Sequence, residues 1–248
     1  MSNKPILIAA SLLVLLPACG RAQDAPQTDP ARTEVWKPVP VLVATPVGAA
    51  PSDAVVLFDG KDLSAWESTQ GGAAPWRVAE GAFTVVPGSK DIRTKKRFCD
   101  IQLHVEWRSP VETKGFDGQH RGNSGIFLQG LYELQVLDSY NNSTYPNGQA
   151  ASIYKQSIPL VNASRAPSQW QVYDVIWKAP RFSEGGGLLS PARITVLHNG
   201  VLVQNDTVVS GKTEYIGAPS YSPHDCAPIQ LQDHDSRVSF RNIWVREL

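Results

Sequence analysis

The chain has 248 residues, and its 23 Lys and Arg side chains balance its 23 Asp and Glu side chains, so its formal net charge is zero. A neutral chain lacks the positive field that draws a protein to phosphates, so we expect no nucleic-acid partner. Apolar residues make up 42% and charged residues 19% of the chain, a balance that can fill a core and excludes wholesale disorder. No apolar run reaches the roughly 18 residues that a membrane-spanning helix needs.

The first 19 residues have the pattern of a secretion signal. Lys4 precedes an apolar run over residues 5–16, and small residues follow it. The segment 16–19, Leu-Pro-Ala-Cys, resembles a bacterial lipobox, in which the cysteine is lipidated and becomes the new N-terminus. The resemblance implies a signal peptide over 1–19 and a lipid on Cys19. The protein would then be a lipoprotein of the cell envelope, facing the periplasm or in the outer membrane. Ordinary secretion without a lipid is the alternative.

Residues 20–51 are rich in Pro and Ala, a composition that cannot bury a core and suits a tether. Residues 52–248 remain for one folded domain. Under this interpretation, the protein contacts the membrane only through its N-terminal lipid anchor.

The domain over residues 52–248 has the periodicity of β-strands throughout. Apolar and polar residues alternate strictly over 101–107, and Asn199-Gly200 is a strong hairpin signal. Many short strands separated by turn residues predict a single-domain, all-β fold, a two-sheet antiparallel β-sandwich of the jelly-roll kind. The predicted strands cover residues 55–58, 76–78, 82–86, 101–107, 124–129, 131–137, 170–177, 193–197, 201–203, 228–234 and 238–246.

Three of these strands carry polar faces of similar composition, with hydrogen-bonding groups of fixed geometry and few lysines. The residues are His104, Glu106 and Arg108 on one strand, Glu133 and Gln135 on another, and Gln230, Gln232 and His234 on a third. We expect the side chains of His104, Glu106, Glu133, Gln135, Gln232 and His234 to share one concave surface. Such a surface suits a carbohydrate, which is covered in hydroxyl groups. An ordinary solvated face is the alternative interpretation.

The segment over 133–138, Glu-Leu-Gln-Val-Leu-Asp, resembles the Glu-x-Asp-x-x-Glu motif of jelly-roll glucanases. A retaining glycosidase needs two carboxyl groups about 5–5.5 Å apart. Here Gln135 replaces the central Asp and Asp138 replaces the last Glu, which argues against ordinary retaining hydrolysis. A bulge at residues 136–137 would bring Asp138 beside Glu133.

Two other features each leave two interpretations open. Cys99 and Cys226 either form a disulfide or remain two buried thiols. The polar, aromatic loop over 140–148 either borders a sugar site or is an ordinary surface loop.

A set of motifs runs in consistent order through residues 53–248. They are LFDGKDLSAW at 57–66, IQLHVEWR at 101–108, GNSGI at 122–126, ELQVLD at 133–138, LQDH at 231–234 and FRNIWV at 240–245. Together they resemble the 3-keto-disaccharide hydrolase domain, a family of concanavalin-like jelly rolls. The resemblance therefore implies the same sandwich that the strand pattern predicts.

The resemblance also implies an enzyme that acts on 3-keto glycosides. A ketone at C3 of the sugar acidifies the hydrogen on C2, so a base can remove it, and the C1–O bond then breaks by elimination. Water adds back to the unsaturated product, and the net result is hydrolysis. Such a site needs a base, donors for the enolate oxygen and an acid for the leaving group.

The polar residues supply candidates for each role. The base is His104 or Glu133, the donors are Arg121 and His234, and the acid is Glu106 or Asp138. The expected catalytic set is Glu133, His104, His234 and Asp138, and the expected substrate-binding set is Glu106, Arg108, Arg121, Asn123, Gln135 and Gln232.

One cofactor is suggested, a divalent cation (Ca, Mn or Zn) held by some of His104, Glu106, Glu133 and His234. Two other classes of function remain open beside the enzyme. One is a non-catalytic, surface carbohydrate-binding module, and the other is a structural or protein-docking sandwich.

Overall fold

The computed structural model describes residues 29–112 and 114–248. The predicted signal peptide with Cys19 and the first part of the predicted tether, residues 20–28, lie outside the described residues. The chain divides into two compact units between Leu42 and Val43. In the described part of the first unit, the Asp29 side chain caps a short 3₁₀ turn, Pro30–Thr33. None of the helices in the described ranges is long and apolar enough to cross a membrane.

The described part of the second unit consists mainly of short strands. They are β1 (Val55–Phe58), β2 (Trp66–Ser68), β3 (Arg77–Ala79), β4 (Ala82–Thr84), β5 (Ile92–Thr94), β6 (Ile101–Arg108), β7 (Ser124–Leu128), β8 (Tyr132–Val136), β9 (Gln171–Lys178), β10 (Arg181–Phe182), β11 (Leu188–Ser190), β12 (Arg193–His198), β13 (Val201–Val208), β14 (Gln230–Leu231) and β15 (Ser239–Glu247). Two 3₁₀ turns, Gly118–His120 and Pro146–Gly148, lie in the connecting loops.

The strands form two main antiparallel sheets. The eight-stranded sheet has the order β13-β12-β9-β6-β15-β4-β3, with β1 also paired to β15. The five-stranded sheet has the order β2-β5-β14-β7-β8, and β10 and β11 form a separate hairpin. The predicted all-β, two-sheet antiparallel sandwich is confirmed.

Alternation along the strands directs one face of each sheet into a shared core. In β6, Leu103 and Val105 are 1% exposed, whereas the residues that alternate with them along the strand are only half-buried. On the other sheet, Ile126 and Leu134 are fully buried. Burying an aliphatic side chain of this size contributes about 1.5–3 kcal/mol. A slip of one residue would reverse every face, so the core fixes the register of both sheets.

The sequence does not predict β2, β5, β10 or β11. Each has only two or three residues, too few for an alternating pattern to stand out. The strand predicted over 228–234 pairs only at Gln230–Leu231, whereas β13 continues to Val208. Such short strands form where their neighbours offer hydrogen-bond partners, and their own sequence carries little of that information.

Cys99 and Cys226 form a disulfide, which decides between the two interpretations of these cysteines. They are 127 residues apart in the chain, and their Cα atoms lie 4.6 Å apart. Their neighbours Phe98 and Ala227 form an isolated antiparallel bridge, in which each N–H donates to the other's carbonyl. The bond therefore closes a long loop next to the entrance to β6.

Replacing both cysteines by serine, Cys99→Ser with Cys226→Ser, should lower the free energy of unfolding by about 2–5 kcal/mol. The unfolded chain regains the freedom of a long loop when the bond is absent. Urea unfolding followed by tryptophan fluorescence measures the difference, and reduced wild-type protein is the matched control. Equal midpoints for oxidised wild type and the double variant would contradict this expectation.

Candidate active site

The outer face of the five-stranded sheet carries a row of residues that extends from strand to strand. Strand pairing sets Gln230 of β14 between Arg93 of β5 and Phe127 of β7. Phe127 in turn pairs with Glu133 of β8. Side chains alternate along each strand, so the chain neighbours of these residues point into the core.

A second row lies beside the first. Gln135 of β8 pairs with Gly125 of β7, whose carbonyl accepts the N–H of Gln232 at 3.0 Å. The two rows form the floor of a cleft of about 510 Å³, a volume typical of small-molecule sites. The cleft is lined by Gln119, His120, Asn123, Phe127, Glu133, Gln135, Tyr145, Tyr154, Thr213, Tyr215, Gln232 and His234.

Gly125 provides the space that the Glu133 side chain occupies. A Cβ atom at position 125 would lie 2.6 Å from Glu133 Oε1 and 2.9 Å from the Phe127 ring. Both distances are shorter than van der Waals contact. Any side chain at position 125 would therefore displace the carboxyl group from the floor of the cleft.

Glu133 is buried without a polar partner for its side chain. It is 5% exposed, and in the described part of the chain its carboxyl group forms neither a hydrogen bond nor an ion pair. Burial, with a smaller contribution from the negative charge of Asp91, raises the pKa of Glu133 to about 8. A carboxyl group with this pKa gains and loses a proton near neutral pH, as a general base or acid must.

Amide side chains form the next part of the floor. Gln135 Nε2 donates to Asn123 Oδ1 at 3.2 Å and to Gln119 Oε1 at 3.3 Å. The Oε1 atoms of Gln135 and Gln232 are buried and have no hydrogen-bond partner among the described residues. An unpaired buried acceptor costs about 1–3 kcal/mol, so both oxygens would gain from the hydroxyl groups of a ligand.

His234 lies at the exposed edge of the cleft, just after β14. The carboxylate of Asp91 holds this segment, because it accepts hydrogen bonds from the Asp233 N–H at 2.9 Å and from Gln230 Nε2 at 2.7 Å. Burial raises the pKa of Asp91 in spite of these hydrogen bonds. No signal in the sequence connects Asp91 with the cleft, because it precedes a short strand that has no alternating pattern.

The walls of the cleft carry hydroxyl groups that sequence reasoning mostly missed. Tyr145 belongs to the 140–148 loop, so this loop borders the site, in line with one of its two interpretations. Tyr154, Thr213 and Tyr215 come from irregular segments with no periodic pattern. Thr213 Oγ1 accepts the backbone N–H of Glu133 at 2.9 Å and so ties one wall to the floor.

The structure brings together Glu133, Gln135, Gln232 and His234 as expected, but the prediction is wrong for His104 and Glu106. Their strand, β6, pairs with β9 and β15 in the eight-stranded sheet. Its polar face therefore lies on the opposite side of the sandwich from the cleft.

Arg108, the last residue of β6, is also on the outer face of the eight-stranded sheet. Its guanidinium packs over the Trp170 ring, 4.7 Å from the ring centre. The position does not match the predicted role in substrate binding at the cleft. Alternation identifies which residues share a face, but it does not determine which sheet a strand joins.

The polar residues of β6 form a network among themselves and their neighbours. His104 Nδ1 lies 2.6 Å from Asp174 Oδ1. Glu106 accepts hydrogen bonds from Arg241 Nε at 2.6 Å and from Asn242 Nδ2 at 2.8 Å. Burial opposes ionisation of Glu106, but these hydrogen bonds prevail and lower its pKa. The network ties β6 to β9 and β15.

Arg121 and Asp138 also do not line the cleft. Their side chains form an ion pair, with Arg121 Nε 3.0 Å from Asp138 Oδ2. The Asp138 carboxylate also accepts the N–H of Tyr140 at 3.1 Å. The pairing of β7 with β8 stays in register up to Val136, so Asp138 lies beyond the strand and is not returned to the face of Glu133. The pair braces a loop, in contrast to the predicted roles in catalysis and binding.

The four predicted metal ligands do not meet at one point. His104 and Glu106 belong to the eight-stranded sheet, whereas Glu133 and His234 line the cleft on the other sheet. Within residues 29–112 and 114–248, no group of three or more His, Cys, Asp and Glu side chains is arranged to hold a metal ion. The predicted set therefore does not fit a divalent cation.

The 3-keto-alpha-glucoside-1,2-lyase-like domain matches residues 53–246. The chain belongs to this family. A protein of Parabacteroides distasonis ATCC 8503, provisionally named a glycosyl hydrolase, is 54% identical, and the match covers 89% of this chain and 97% of that one with a TM-score of 0.85.

Two further structures from that organism, with the same provisional name, have the same fold at 20% identity. The matches cover 79% of this chain and 94% and 99% of theirs, with TM-scores of 0.58 and 0.51. No curated protein sequence matches the chain.

The raised pKa of Glu133 gives stability a defined pH dependence. The carboxyl group stays neutral in the folded protein up to about pH 8, but it ionises in the unfolded chain above its ordinary value of 4.5. The stabilisation from the neutral, buried carboxyl group is therefore complete below pH 4.5, the pKa in the unfolded chain. It is lost as the pH rises through about 8, the pKa in the folded protein.

Glu133→Gln keeps the shape but cannot ionise, so its stability relative to wild type should rise between about pH 5 and pH 9. Urea unfolding of both proteins across this range measures the difference. A difference that does not change with pH would contradict the burial of an ionisable, unpaired group.

Proposed function

We propose that the protein cleaves the glycosidic bond of 3-keto glycosides by removing the proton on C2, eliminating the oxygen from C1 and then adding water. Family membership and the provisional name of the 54% identical relative support cleavage of a glycosidic bond. The observation that carries the proposal is the buried, unpaired carboxyl group of Glu133, whose pKa is about 8, on the floor of a polar cleft.

Glu133 is the base. A ketone at C3 spreads the negative charge that remains when C2 loses its proton, so a carboxylate of raised pKa is strong enough to remove it. Among the described residues that line the cleft, Glu133 has the only carboxyl group. An ordinary glycosidase needs a pair of carboxyl groups, whereas elimination next to a ketone needs one base. The single carboxyl group therefore favours elimination.

The remaining polar groups of the cleft bind and orient the sugar. His234, at the edge, donates to the oxygen of the enolate. The unpaired Oε1 atoms of Gln135 and Gln232 accept hydrogen bonds from sugar hydroxyl groups. Asn123 holds the Gln135 amide in the orientation that keeps its oxygen free. Arg121 takes no part, since its guanidinium is paired with Asp138. No step is assigned to a metal ion.

A non-catalytic carbohydrate-binding module is the second candidate. The same two acceptor oxygens favour it, because they would pair with the hydroxyl groups of an unmodified sugar equally well. The two functions differ at Glu133, which a binding module needs only for a modest share of its affinity.

The test compares a 3-keto disaccharide with the unmodified disaccharide, with and without EDTA. Wild-type protein should cleave only the 3-keto sugar, and EDTA should not change the rate. Glu133→Gln should lower kcat by about 10²–10⁴-fold, the usual contribution of a general base, while the sugar still binds.

The control is Asp206→Asn, which neutralises an exposed carboxylate on β13 in the other sheet and should keep the wild-type rate. Cleavage of the unmodified sugar alone, or an unchanged kcat in Glu133→Gln, would overturn the proposal. Binding by wild type without any cleavage would favour the module.

We also propose that Cys19 carries a lipid that anchors the protein in the cell envelope. The lipobox-like segment at 16–19 supports the anchor, and the Cys99–Cys226 disulfide suits an oxidising compartment. Cys19→Ala should move the protein from the membrane fraction to the soluble fraction. If the variant still sediments with membranes, the anchor is not at Cys19.

A further inference from the structure

Two tyrosine hydroxyl groups meet in the lining of the cleft. Tyr145 Oη lies 2.7 Å from Tyr154 Oη, a hydrogen bond in which either oxygen can donate. Both residues line the same cleft as Glu133. Tyr154 is 9% exposed, whereas Tyr145 is 39% exposed, so the pair leads from the interior of the cleft towards solvent.

The backbone fixes the inner tyrosine relative to Glu133. The chain folds back on β8 after the 140–148 loop, so that Ala151 N–H donates to Gln135 O at 3.0 Å and Tyr154 N–H donates to Glu133 O at 3.2 Å. Tyr154 is therefore attached to the same residue that carries the carboxyl group.

The outer tyrosine depends on a glycine. A Cβ atom at Gly148 would lie 2.0 Å from the Tyr145 ring, so only glycine leaves space for the ring at this place. The Lys155 ammonium lies 5.6 Å from the centre of the Tyr154 ring and 5.9 Å from that of Tyr145. These contacts hold both rings on one side of the cleft.

Tyr154 and Glu133 lose their protons at different pH values. Burial raises the pKa of Tyr154, and the hydrogen bond with Tyr145 and the charge of Glu133 raise it further. The phenol therefore stays protonated at the pH at which Glu133 becomes a carboxylate. Two titratable groups with pKa values so far apart in one site have the pattern of a separate acid and base.

We propose that Tyr154 is the acid that protonates the departing glycosidic oxygen, and that Tyr145 orients the Tyr154 hydroxyl group through their hydrogen bond. This assignment rests on the proposed elimination, for which the sequence left the acid to Glu106 or Asp138. Neither of those residues lines the cleft, so we assign the role of the acid to the Tyr154 phenol. Tyr145 acts through Tyr154 and is a positioning residue.

Glu133 and Tyr154 together account for every proton and electron pair in the reaction. Glu133 carboxylate takes the C2 proton, the electron pair forms the C1–C2 double bond through the enolate, and the C1–O bond breaks with its electrons on oxygen. That oxygen takes the proton of Tyr154, which becomes a phenolate. In hydration, the oxygen of a water molecule bonds to C1 while the Tyr154 phenolate takes a proton from that water. Glu133 then returns a proton to C2.

The test uses two 3-keto glucosides that differ in the leaving group, a disaccharide and a 4-nitrophenyl glycoside. A sugar alkoxide needs a proton as it leaves, whereas nitrophenolate leaves without one. Tyr154→Phe should lower kcat for the disaccharide by about 10²–10⁴-fold and that for the nitrophenyl glycoside by less than about tenfold.

Tyr145→Phe should show the same preference for the nitrophenyl substrate with a smaller loss. A tyrosine that only shaped the cleft would affect both substrates alike, so the ratio of the two losses separates the roles. Tyr140→Phe removes a hydroxyl group outside the lining of the cleft and is the matched control, with wild-type kinetics expected. Circular dichroism and the thermal midpoint confirm that each variant is folded.

Equal losses of Tyr154→Phe on both substrates, or no loss on the disaccharide, would overturn the assignment of Tyr154 while wild type cleaves both. If wild type cleaves neither 3-keto substrate, the proposed function itself fails. The two failures are therefore distinguishable.

Discussion

The cleft depends on one steric fact, the absence of a side chain at Gly125. The carboxyl group of Glu133 fills the place where a Cβ atom would lie, 2.6 Å from its Oε1. The carboxyl group is thereby held against the sheet, only 5% exposed, and it has no cationic partner among the described residues. Its raised pKa follows from this position. A larger residue at 125 would push the group towards solvent and return its pKa towards the ordinary value.

Such a site is unfavourable for stability, since it leaves a buried carboxyl group and two buried amide oxygens without partners in the described part of the chain. The rest of the domain offsets this cost. The core between the sheets buries large side chains such as Trp66, Trp107 and Trp177 almost completely, and the disulfide closes a long loop. The polar network on the opposite face, by contrast, has its charges paired. The two amide oxygens and the Glu133 carboxyl group lie on the face where a ligand would pair with them.

Alternation in the sequence was sufficient to predict the sandwich and to place Glu133 and Gln135 on one face. It could not place His104 and Glu106. An alternating pattern indicates which residues share a face, but it does not indicate which strands are neighbours in the sheet. The β6 strand joins β9 and β15 through contacts distant in sequence. The sequence does not predict Asp91 and Tyr154 for another reason. They lie in segments without an alternating pattern, and tertiary hydrogen bonds connect them with the cleft.

The fate of the hydrogen on C2 tests the central claim most directly, because direct displacement at C1 never breaks that bond. The measurement is a proton NMR spectrum of the sugar released from a 3-keto disaccharide by wild-type protein in D₂O. Removal of the C2 proton by Glu133, followed by its return from a carboxyl group that exchanges with solvent, predicts deuterium at C2 of the released 3-keto sugar. Cleavage with the original hydrogen fully retained at C2 would contradict the mechanism.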